Sequence, residues 1–365
     1  LKDENDRVLF RRVAEETARL VKKHRGSLSG EHGDGRLRGE FIPLLFGEKV
    51  YGLMQETKVC WDPEGVFNAR KIVNTPPMDT SLRYEVGDSD VACRTYFDFS
   101  KEKGWLCAIE QCNGSGDCRK SYAFGGTMCP SFRATREESH TTRARANTLR
   151  ELITHPRTKK IYDQREILEV LDTCVSCKAC KSECPSNVDI ARFKAEFLQQ
   201  HYDVCGVPMK AFLIARLTEI QRLGTILPWF YNAIVRNRMT GNMLKRILHF
   251  APKRTIPTLY KTTLKHWLGR YRRKNRGETV GKVFLFADEF TNYMDVEIGI
   301  KMIELLDWLG YEVIIPKHVE SGRTAISKGM LEVAKGVARK NVLLLKDLVT
   351  ENIPLVGIEP SCILS

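Results

Sequence analysis

The chain has 365 residues, of which 42% are hydrophobic and 28% charged, a composition typical of a soluble protein with two or three domains. It contains no run of 18 apolar residues, which argues against a membrane-spanning helix. The start LKDENDRVLF lacks the apolar core of a secretory signal. Because the sequence starts at Leu1 and stops just after a strand pattern, we expect it to be a fragment of a longer protein.

The net charge of +13 comes from one segment. Residues 220–277 contain 14 Lys and Arg and no Asp or Glu, whereas basic and acidic residues nearly balance in the rest of the chain. A uniformly basic surface is therefore excluded, and we expect no nucleic-acid partner.

In chain order, hydrophobic periodicity predicts five segments of an α+β multidomain protein. Residues 1–77 contain a helix ending near His24, the Gly-rich loop GSLSGEHGDGRLRG, a short helix and a turn-rich tail. A connector (78–104), a helical cysteine-rich domain (105–200) and a basic helical segment (201–280) follow. In 281–365, the strand patterns KVFLFAD, YEVIIP and IPLVGIEP alternate with two amphipathic helices, which predicts a partial α/β domain with a parallel sheet.

The cysteine spacing indicates iron–sulfur clusters. Cys174, Cys177, Cys180 and Cys184 form C-x2-C-x2-C-x3-C-P, the spacing of bacterial ferredoxins. The alternative is a zinc site, which typically uses two separated cysteine pairs. We therefore favour a helical ferredoxin-like domain with one or two [4Fe-4S] clusters.

Three upstream cysteines are candidates for the second ligand set: Cys112, Cys118 and Cys129, the last followed by proline. In two-cluster ferredoxins the cysteine before proline binds the other cluster. Cys129 would therefore join Cys174, Cys177 and Cys180, and Cys184 would join Cys112 and Cys118. The second set then lacks one ligand, because Ser115 stands at its position. Cys107 is a spare thiol, or a small buried hydrophobic residue.

The Gly-rich loop places Glu31 and His32 between Gly30 and Gly33. Glycines allow the backbone to approach a flat or bulky group closely. A Glu–His pair offers a metal ligand and a general base. From composition alone, a surface turn explains the loop equally well.

GSLSGEHGDG and DPEGVFNARKIV resemble the C-terminal end of FAD-linked oxidases of the vanillyl-alcohol oxidase superfamily. QCNGSGDCRK, MCPSFRATREESHTTRARANTLRE, the ferredoxin motif and VGIEPSC resemble fused FAD-dependent, iron–sulfur D-2-hydroxyacid dehydrogenases acting on D-2-hydroxyglutarate, D-lactate or glycolate. Residues 281–365 resemble the cysteine-rich domain of heterodisulfide-reductase-like subunits, but retain only Cys362.

The resemblance implies FAD, [4Fe-4S] clusters and a divalent metal such as zinc as cofactors. It implies that Glu31 is a metal ligand and His32 the base that takes the substrate hydroxyl proton. Gly30 and Gly33 would lie against the cofactor, and Asn68 and Lys71 in the flavin-contacting tail. The family's FAD-binding domain would precede Leu1.

The implied reaction is oxidation of a D-2-hydroxyacid to the 2-oxoacid. A quinone, an electron-transfer flavoprotein or another carrier would accept the electrons. The alternative is an iron–sulfur electron-transfer module without substrate chemistry.

In the basic segment, aromatic residues such as Trp229 and Trp267 are interleaved with cations, which suits an anionic membrane surface. Alternatively, these cations pair with acidic faces of the other domains or bind an acidic carrier protein. We expect a cytoplasmic protein, peripheral on the inner face of the membrane.

Overall fold

The computed structural model describes residues 2–84, 86–87, 94–157, 160–274, 277 and 279–364. The chain divides into two compact units, Leu1–Val91 and Ala92–Ser365. The division falls inside the predicted connector, of which residues 85 and 88–93 lie outside the described residues.

The first unit is helical. Its helices are α1 (Glu4–Lys23), α2 (Ile42–Phe46) and α3 (Glu48–Trp61). The Asp3 carboxylate caps α1 by accepting a hydrogen bond from the Asn5 N–H. Buried Ala18, Phe41 and Met78 form a small core between the helices and the tail. The Gly-rich loop and the tail are thereby carried on a helical support.

The cysteine-rich part of the second unit consists of short helices joined by loops. They are α4 (Trp105–Glu110), α5 (Pro130–Thr135), α6 (Thr142–Thr154), α7 (Arg165–Asp172), α8 (Ala179–Glu183) and α9 (Ile190–Cys205). Helix α6 packs against α4, α7 and α9. Leu149, Ile167 and Phe197 are fully buried in this packing. The cysteine loops therefore project from a fixed helical frame.

The basic segment is helical, as the sequence predicts. Its helices are α10 (Met209–Ala215), α11 (Leu217–Gly224), α12 (Pro228–Arg236), α13 (Arg238–Ile247) and α14 (Leu264–Arg270). Pro228 occupies the first position of α12, where its missing N–H costs nothing. None of the helices in the described part of the chain is long and apolar enough to cross a membrane.

The last part is a small α/β layer. It contains β1 (Gly281–Phe286), α15 (Glu289–Tyr293), α16 (Val296–Trp308), β2 (Tyr311–Ile314), α17 (Arg323–Ser327), α18 (Leu331–Leu345), β3 (Leu355–Gly357) and α19 (Pro360–Ile363). The strands are parallel in the order β2-β1-β3, which confirms the predicted parallel sheet. Leu264 of α14 packs into its core with Leu285 and Ile303. A Cβ at Gly299 would lie 2.5 Å from a Leu264 methyl carbon, so this close approach requires glycine.

His318 makes the stability of this layer pH-dependent. Its Nε2 accepts the Ala287 N–H at 3.3 Å, and its Nδ1 lies 2.7 Å from the Val319 carbonyl oxygen. Burial, aided by the charge of Lys265, lowers the pKa of His318 to about 4. In the unfolded chain His318 binds a proton as the pH falls below 6.5, whereas in the folded chain it does so only near pH 4. The free energy of unfolding therefore decreases as the pH falls from 6.5 to 4.

We expect the free energy of unfolding to fall by about 2 kcal/mol from this residue between pH 7 and pH 5. Urea unfolding of the wild type and of His318→Gln at both pH values measures it, with the exposed His266→Gln as control. The decrease should be smaller in His318→Gln. An equal decrease in all three proteins would contradict the assignment.

Candidate iron–sulfur and flavin sites

Four cysteines from two distant parts of the chain line one pocket. They are Cys129, Cys174, Cys177 and Cys180. Cys129 lies just before α5, whereas the other three lie on the loop after α7 and on α8. Ser176 and Lys178 adopt left-handed φ values of 54° and 61°, which curl the loop. The structure thus brings together the four cysteines that the ferredoxin crossover groups as one ligand set.

A buried arginine supports an anionic occupant for this pocket. Arg145 on α6 is 1% exposed and lines the pocket. Its guanidinium donates to the Cys129 sulfur at 3.4 Å, to the Val170 carbonyl at 3.1 Å and to the Thr173 hydroxyl at 2.7 Å. In the described part of the chain, no carboxylate lies within ion-pair distance of Arg145. A buried cation needs a negative partner, and cysteine thiolates on a cluster provide one.

Burial also changes the acidity of one pocket thiol. It raises the pKa of Cys180 to about 12, with smaller contributions from Asp189, Cys174 and Cys177. Iron must therefore displace a proton from this thiol. Lys194 of α9 donates to the Cys174 carbonyl oxygen at 2.7 Å, and burial lowers the pKa of this amine.

The separation of the pocket cysteines argues for a cluster rather than for a single zinc ion. Tetrahedral zinc with Zn–S bonds of about 2.3 Å requires sulfur atoms about 3.8 Å apart. Within the described residues, no three cysteines of the pocket bring their sulfur atoms within 4.8 Å of one another. The described pocket cysteines therefore form no ready-made tetrahedral zinc site, and their sequence spacing favours a cluster.

The second cysteine set is only partly assembled. Cys112 and Cys118 are buried, and the Arg143 backbone N–H bonds to Cys118. The pKa of Cys118 is raised first by burial and then by the neighbouring Cys112 and Cys129. Half-buried Cys107 lies on α4, and exposed Ser115 donates its N–H to the Asn113 side chain.

The Glu183 carboxylate connects the segment that leads into Cys184 with the segment that leads into Cys129. Glu183 accepts the Thr127 N–H at 2.7 Å and the Met128 N–H at 2.9 Å. It therefore joins the residue before Cys184 to the two residues before Cys129. The half-buried Cys184 ends α8, and its place in the second set stays a prediction.

The Glu–His loop lies at the surface of the first unit. The side chains of Glu31 and His32 are 84% and 82% exposed, with Glu31 Oε2 2.9 Å from His32 Nε2. The Ser29 hydroxyl oxygen accepts the His32 N–H at 2.8 Å. Gly33 has a φ of 77°, which favours glycine, and the space beside Gly30 is open. A bulky group therefore has room to approach this loop.

The tail forms a pocket near the end of the same loop. Asn68 and Lys71 line it together with the exposed aromatic rings of Trp61 and Phe67. The Ile72 N–H donates to the carbonyl of Gly35 at 2.7 Å, which attaches the tail to the loop. Polar groups beside exposed aromatic surface fit a flat heteroaromatic cofactor such as a flavin. The flavin-binding roles of Asn68 and Lys71 stay predictions.

Sequence reasoning missed Arg145 and Lys194. Arg145 stands at i, i+4, i+7 spacing with Leu149 and Leu152, so it lies on the buried face of α6. A cation at an apolar position of an amphipathic helix was the signal that could have identified it. Lys194 stands at the same kind of position on α9, three and four residues before Phe197 and Leu198, so the same signal applied to it.

The comparisons with known proteins agree with the two predicted domain types. Residues 1–72 match the family described as FAD linked oxidases, C-terminal domain, and residues 111–189 match the 4Fe-4S dicluster domain. The predicted resemblance is confirmed at this level, and the two domains imply FAD and [4Fe-4S] clusters as cofactors.

Curated relatives match along almost the whole chain. The D-2-hydroxyglutarate dehydrogenases of Escherichia coli (strain K12) and Pseudomonas putida are 24% and 26% identical to it, and that of Pantoea ananatis 25%. The matches cover 99% of this chain and 39% of each relative, so the chain spans about two fifths of their length. No solved structure matched.

The cysteine grouping can be tested by cluster counting. After anaerobic reconstitution, Cys129→Ser and Cys177→Ser should each lose the same cluster, and Cys118→Ser should lose or weaken the other. Iron, acid-labile sulfide and the electron paramagnetic resonance spectrum of the reduced protein measure this, with exposed Cys60→Ser as control. Stoichiometric zinc without sulfide, or different clusters lost in Cys129→Ser and Cys177→Ser, would contradict the grouping.

Proposed function

We propose that this chain is part of an FAD-dependent D-2-hydroxyacid dehydrogenase. The enzyme would oxidise D-2-hydroxyglutarate, or a related acid such as D-lactate or glycolate, to the 2-oxoacid. Electrons would then pass through [4Fe-4S] clusters to a downstream acceptor. The observation that carries the proposal is the four-cysteine pocket with its buried Arg145 cation, in a chain that also has the FAD-linked oxidase segment. The names of the curated relatives support the substrate class.

The substrate loses a hydride from its α-carbon and a proton from its hydroxyl. FAD, when bound, accepts two electrons, and iron–sulfur clusters pass them on one at a time. We assign the hydroxyl proton to Nδ1 of His32, because Nε2 lies 2.9 Å from the Glu31 carboxylate, which only accepts, and therefore carries the ring proton. Glu31 would supply one ligand for a divalent metal such as zinc, which polarises the substrate oxygens. Gly30 and Gly33 leave room for the cofactor, and Asn68 and Lys71 provide polar groups to orient it.

The second candidate is an electron-transfer module without substrate chemistry of its own. The favouring observation is the contrast in burial between the two sites. The Arg145 guanidinium and Cys180 are enclosed, whereas the Glu31 and His32 side chains are more than four-fifths exposed. This chain shields its cysteine pocket from water but not the Glu31–His32 pair, which favours electron transfer without oxidation of the acid for the 365-residue chain.

The role of His32 can be tested in the full-length enzyme that we propose. His32→Ala should lower turnover by about 100-fold or more, the usual effect of losing a general base. Glu31→Ala should make turnover depend on added divalent metal. Steady-state oxidation of D-2-hydroxyglutarate measures both, with the exposed His24→Ala as control. Normal turnover in both variants would disprove the assignment while leaving the cluster pocket unaffected.

We further propose that the basic segment binds an anionic membrane surface. Helices α12 and α13 and the turn before them present apolar side chains to solvent, each more than half exposed. These are Ile226, Trp229, Phe230, Met239, Met243 and Ile247. Helices that combine exposed aromatic and aliphatic residues with basic residues suit the interface of a bilayer. The exposed Trp229 and Phe230 would lie at headgroup depth.

A cationic pocket adjoins α13 and strengthens the membrane proposal. Lys210, Lys245, Arg246, Arg254 and Lys328 line it. In the described ranges, no carboxylate lies within ion-pair distance of these five cations. Burial, and then the charge of Lys210, lowers the pKa of Lys328. Uncompensated like charges attract an anion, and a lipid phosphate is the group such a surface meets at a bilayer.

In the described part of the basic segment, ion pairs join Arg216 to Glu219 at 3.2 Å near its start and bind two cations near its end. Arg273 binds Asp307 at 3.0 Å and Lys274 binds Glu304 at 2.9 Å. These contacts hold the segment against α16. The cations of the pocket beside α13 have no such carboxylate partner among the described residues, which is why we place the membrane contact there.

Liposome sedimentation tests the membrane proposal. The protein should pellet with vesicles containing phosphatidylserine, and binding should weaken as salt rises from about 0.05 to 0.5 M, because exposed charges are then screened. The double variant Lys245→Glu, Arg246→Glu should bind less, whereas Lys101→Glu, Lys103→Glu at another exposed site should not. Protein that stays in the supernatant at low salt would disprove membrane binding and favour an acidic carrier protein. Binding that free inorganic phosphate abolishes at constant ionic strength would show that the pocket takes free phosphate instead.

A further inference from the structure

Three metal-binding side chains meet at the C-terminal end of α9, away from the cluster cysteines. His201 and Cys205 stand four residues apart on this helix and therefore share one face. Asp163 comes from the turn before α7. The ligand atoms of the three residues all lie within 4.8 Å of one another, and among the described residues they are the one group of three His, Cys, Asp or Glu that meets this criterion.

The histidine is already oriented for metal binding. His201 Nδ1 lies 2.7 Å from the Tyr162 carbonyl oxygen. A carbonyl only accepts, so Nδ1 carries the proton and Nε2 keeps its lone pair. The ring is also stacked on buried Phe197, with centroids 6.3 Å apart. A histidine that donates its second N–H to a backbone carbonyl is the usual arrangement of a metal ligand.

The other two ligands are accessible and chemically suitable. Cys205 and Asp163 are exposed, and the Cys205 thiol is hydrogen-bonded to the Asp163 carboxylate. Small rotations of these exposed side chains would bring the ligand atoms to the separation of about 3.5 Å that a tetrahedral ion needs. The C-terminal end of a 16-residue helix is also its negative end, which favours a bound cation.

We propose that Asp163, His201 and Cys205 form a binding site for Zn²⁺. A thiolate, an imidazole and a carboxylate match the ligand preference of this borderline-soft ion, with water at the fourth position. The pocket cysteines differ from this group because, among the described residues, no three of their sulfur atoms lie within 4.8 Å of one another.

The ion would join the two helices that flank the loop with the cluster cysteines. Asp163 precedes α7, which leads into Cys174, and α9 begins just after Cys184. Tyr162 contributes to the same joint, since its ring packs against Trp105 and Phe197. Zinc at this site would therefore fix α7 against α9 and stabilise the helical frame of the clusters. This role does not depend on substrate oxidation, so its test is independent of the proposed dehydrogenase activity.

The experiment measures how fast individual cysteines are alkylated. The chain with reconstituted clusters is freed of loosely bound metal, and iodoacetamide is added with or without one equivalent of Zn²⁺. Peptide mass spectrometry gives the rate for each cysteine. Zn²⁺ should slow alkylation of Cys205 by about 10-fold or more, because a metal-bound thiolate is a poor nucleophile. Alkylation of the exposed Cys60 should not change.

Two variants establish which residues form the site. His201→Ala and the nearly isosteric, exposed Asp163→Asn should each abolish or strongly reduce protection of Cys205. The matched control His266→Ala removes an exposed histidine on α14, and Zn²⁺ should still protect Cys205 in this variant. Unchanged Cys205 alkylation with Zn²⁺ would overturn the proposal. Protection that persists in both His201→Ala and Asp163→Asn would also overturn it, since Zn²⁺ would then bind Cys205 without the other two ligands.

Discussion

The enclosed positive charge of Arg145 is the constraint on which the cysteine-rich part of this protein depends. Burying a guanidinium without a negative partner is costly, and its hydrogen bonds to Val170 and Thr173 supply only neutral acceptors. Its remaining contact is the sulfur of Cys129. Thiolates that bind a cluster would complete the charge balance. Cluster assembly should therefore be coupled to the folding of α6, α7 and the loop that carries Cys129.

The same helices place the clusters within a larger frame. Helix α9 packs against α18, and α10 packs against α17, so the cysteine-rich part and the α/β layer belong to one compact unit. Helix α14 fills the core beside the sheet through Leu264. The basic segment is thus anchored at both ends, whereas α12 and α13 between them keep their apolar and cationic side chains exposed. This arrangement suits a surface that contacts a partner while the cluster frame stays rigid.

The two candidate chemical sites differ in how far the chain completes them. The cluster pocket has its cysteines, its cation and its helical support in place, and burial raises the pKa of Cys180. The Glu31–His32 pair has the right groups in hydrogen-bonding contact, but water reaches both side chains. The proposed catalysis at His32 would take place on an exposed loop, whereas the proposed electron transfer would use an enclosed pocket.

The sequence by itself determined the element types, the parallel sheet and the iron–sulfur assignment. Helical and strand periodicity are local, and the spacing of Cys174, Cys177 and Cys180 directly encodes a loop that can surround a cluster. Tertiary structure alone decided which cation faces Cys129, because Arg145 reaches it only through the packing of α6. It also decided that Asp163 meets His201 and Cys205, since 38 residues of sequence separate the first two and no short motif records the contact. Contacts between distant segments depend on how helices pack, and a single sequence carries no local signal for that.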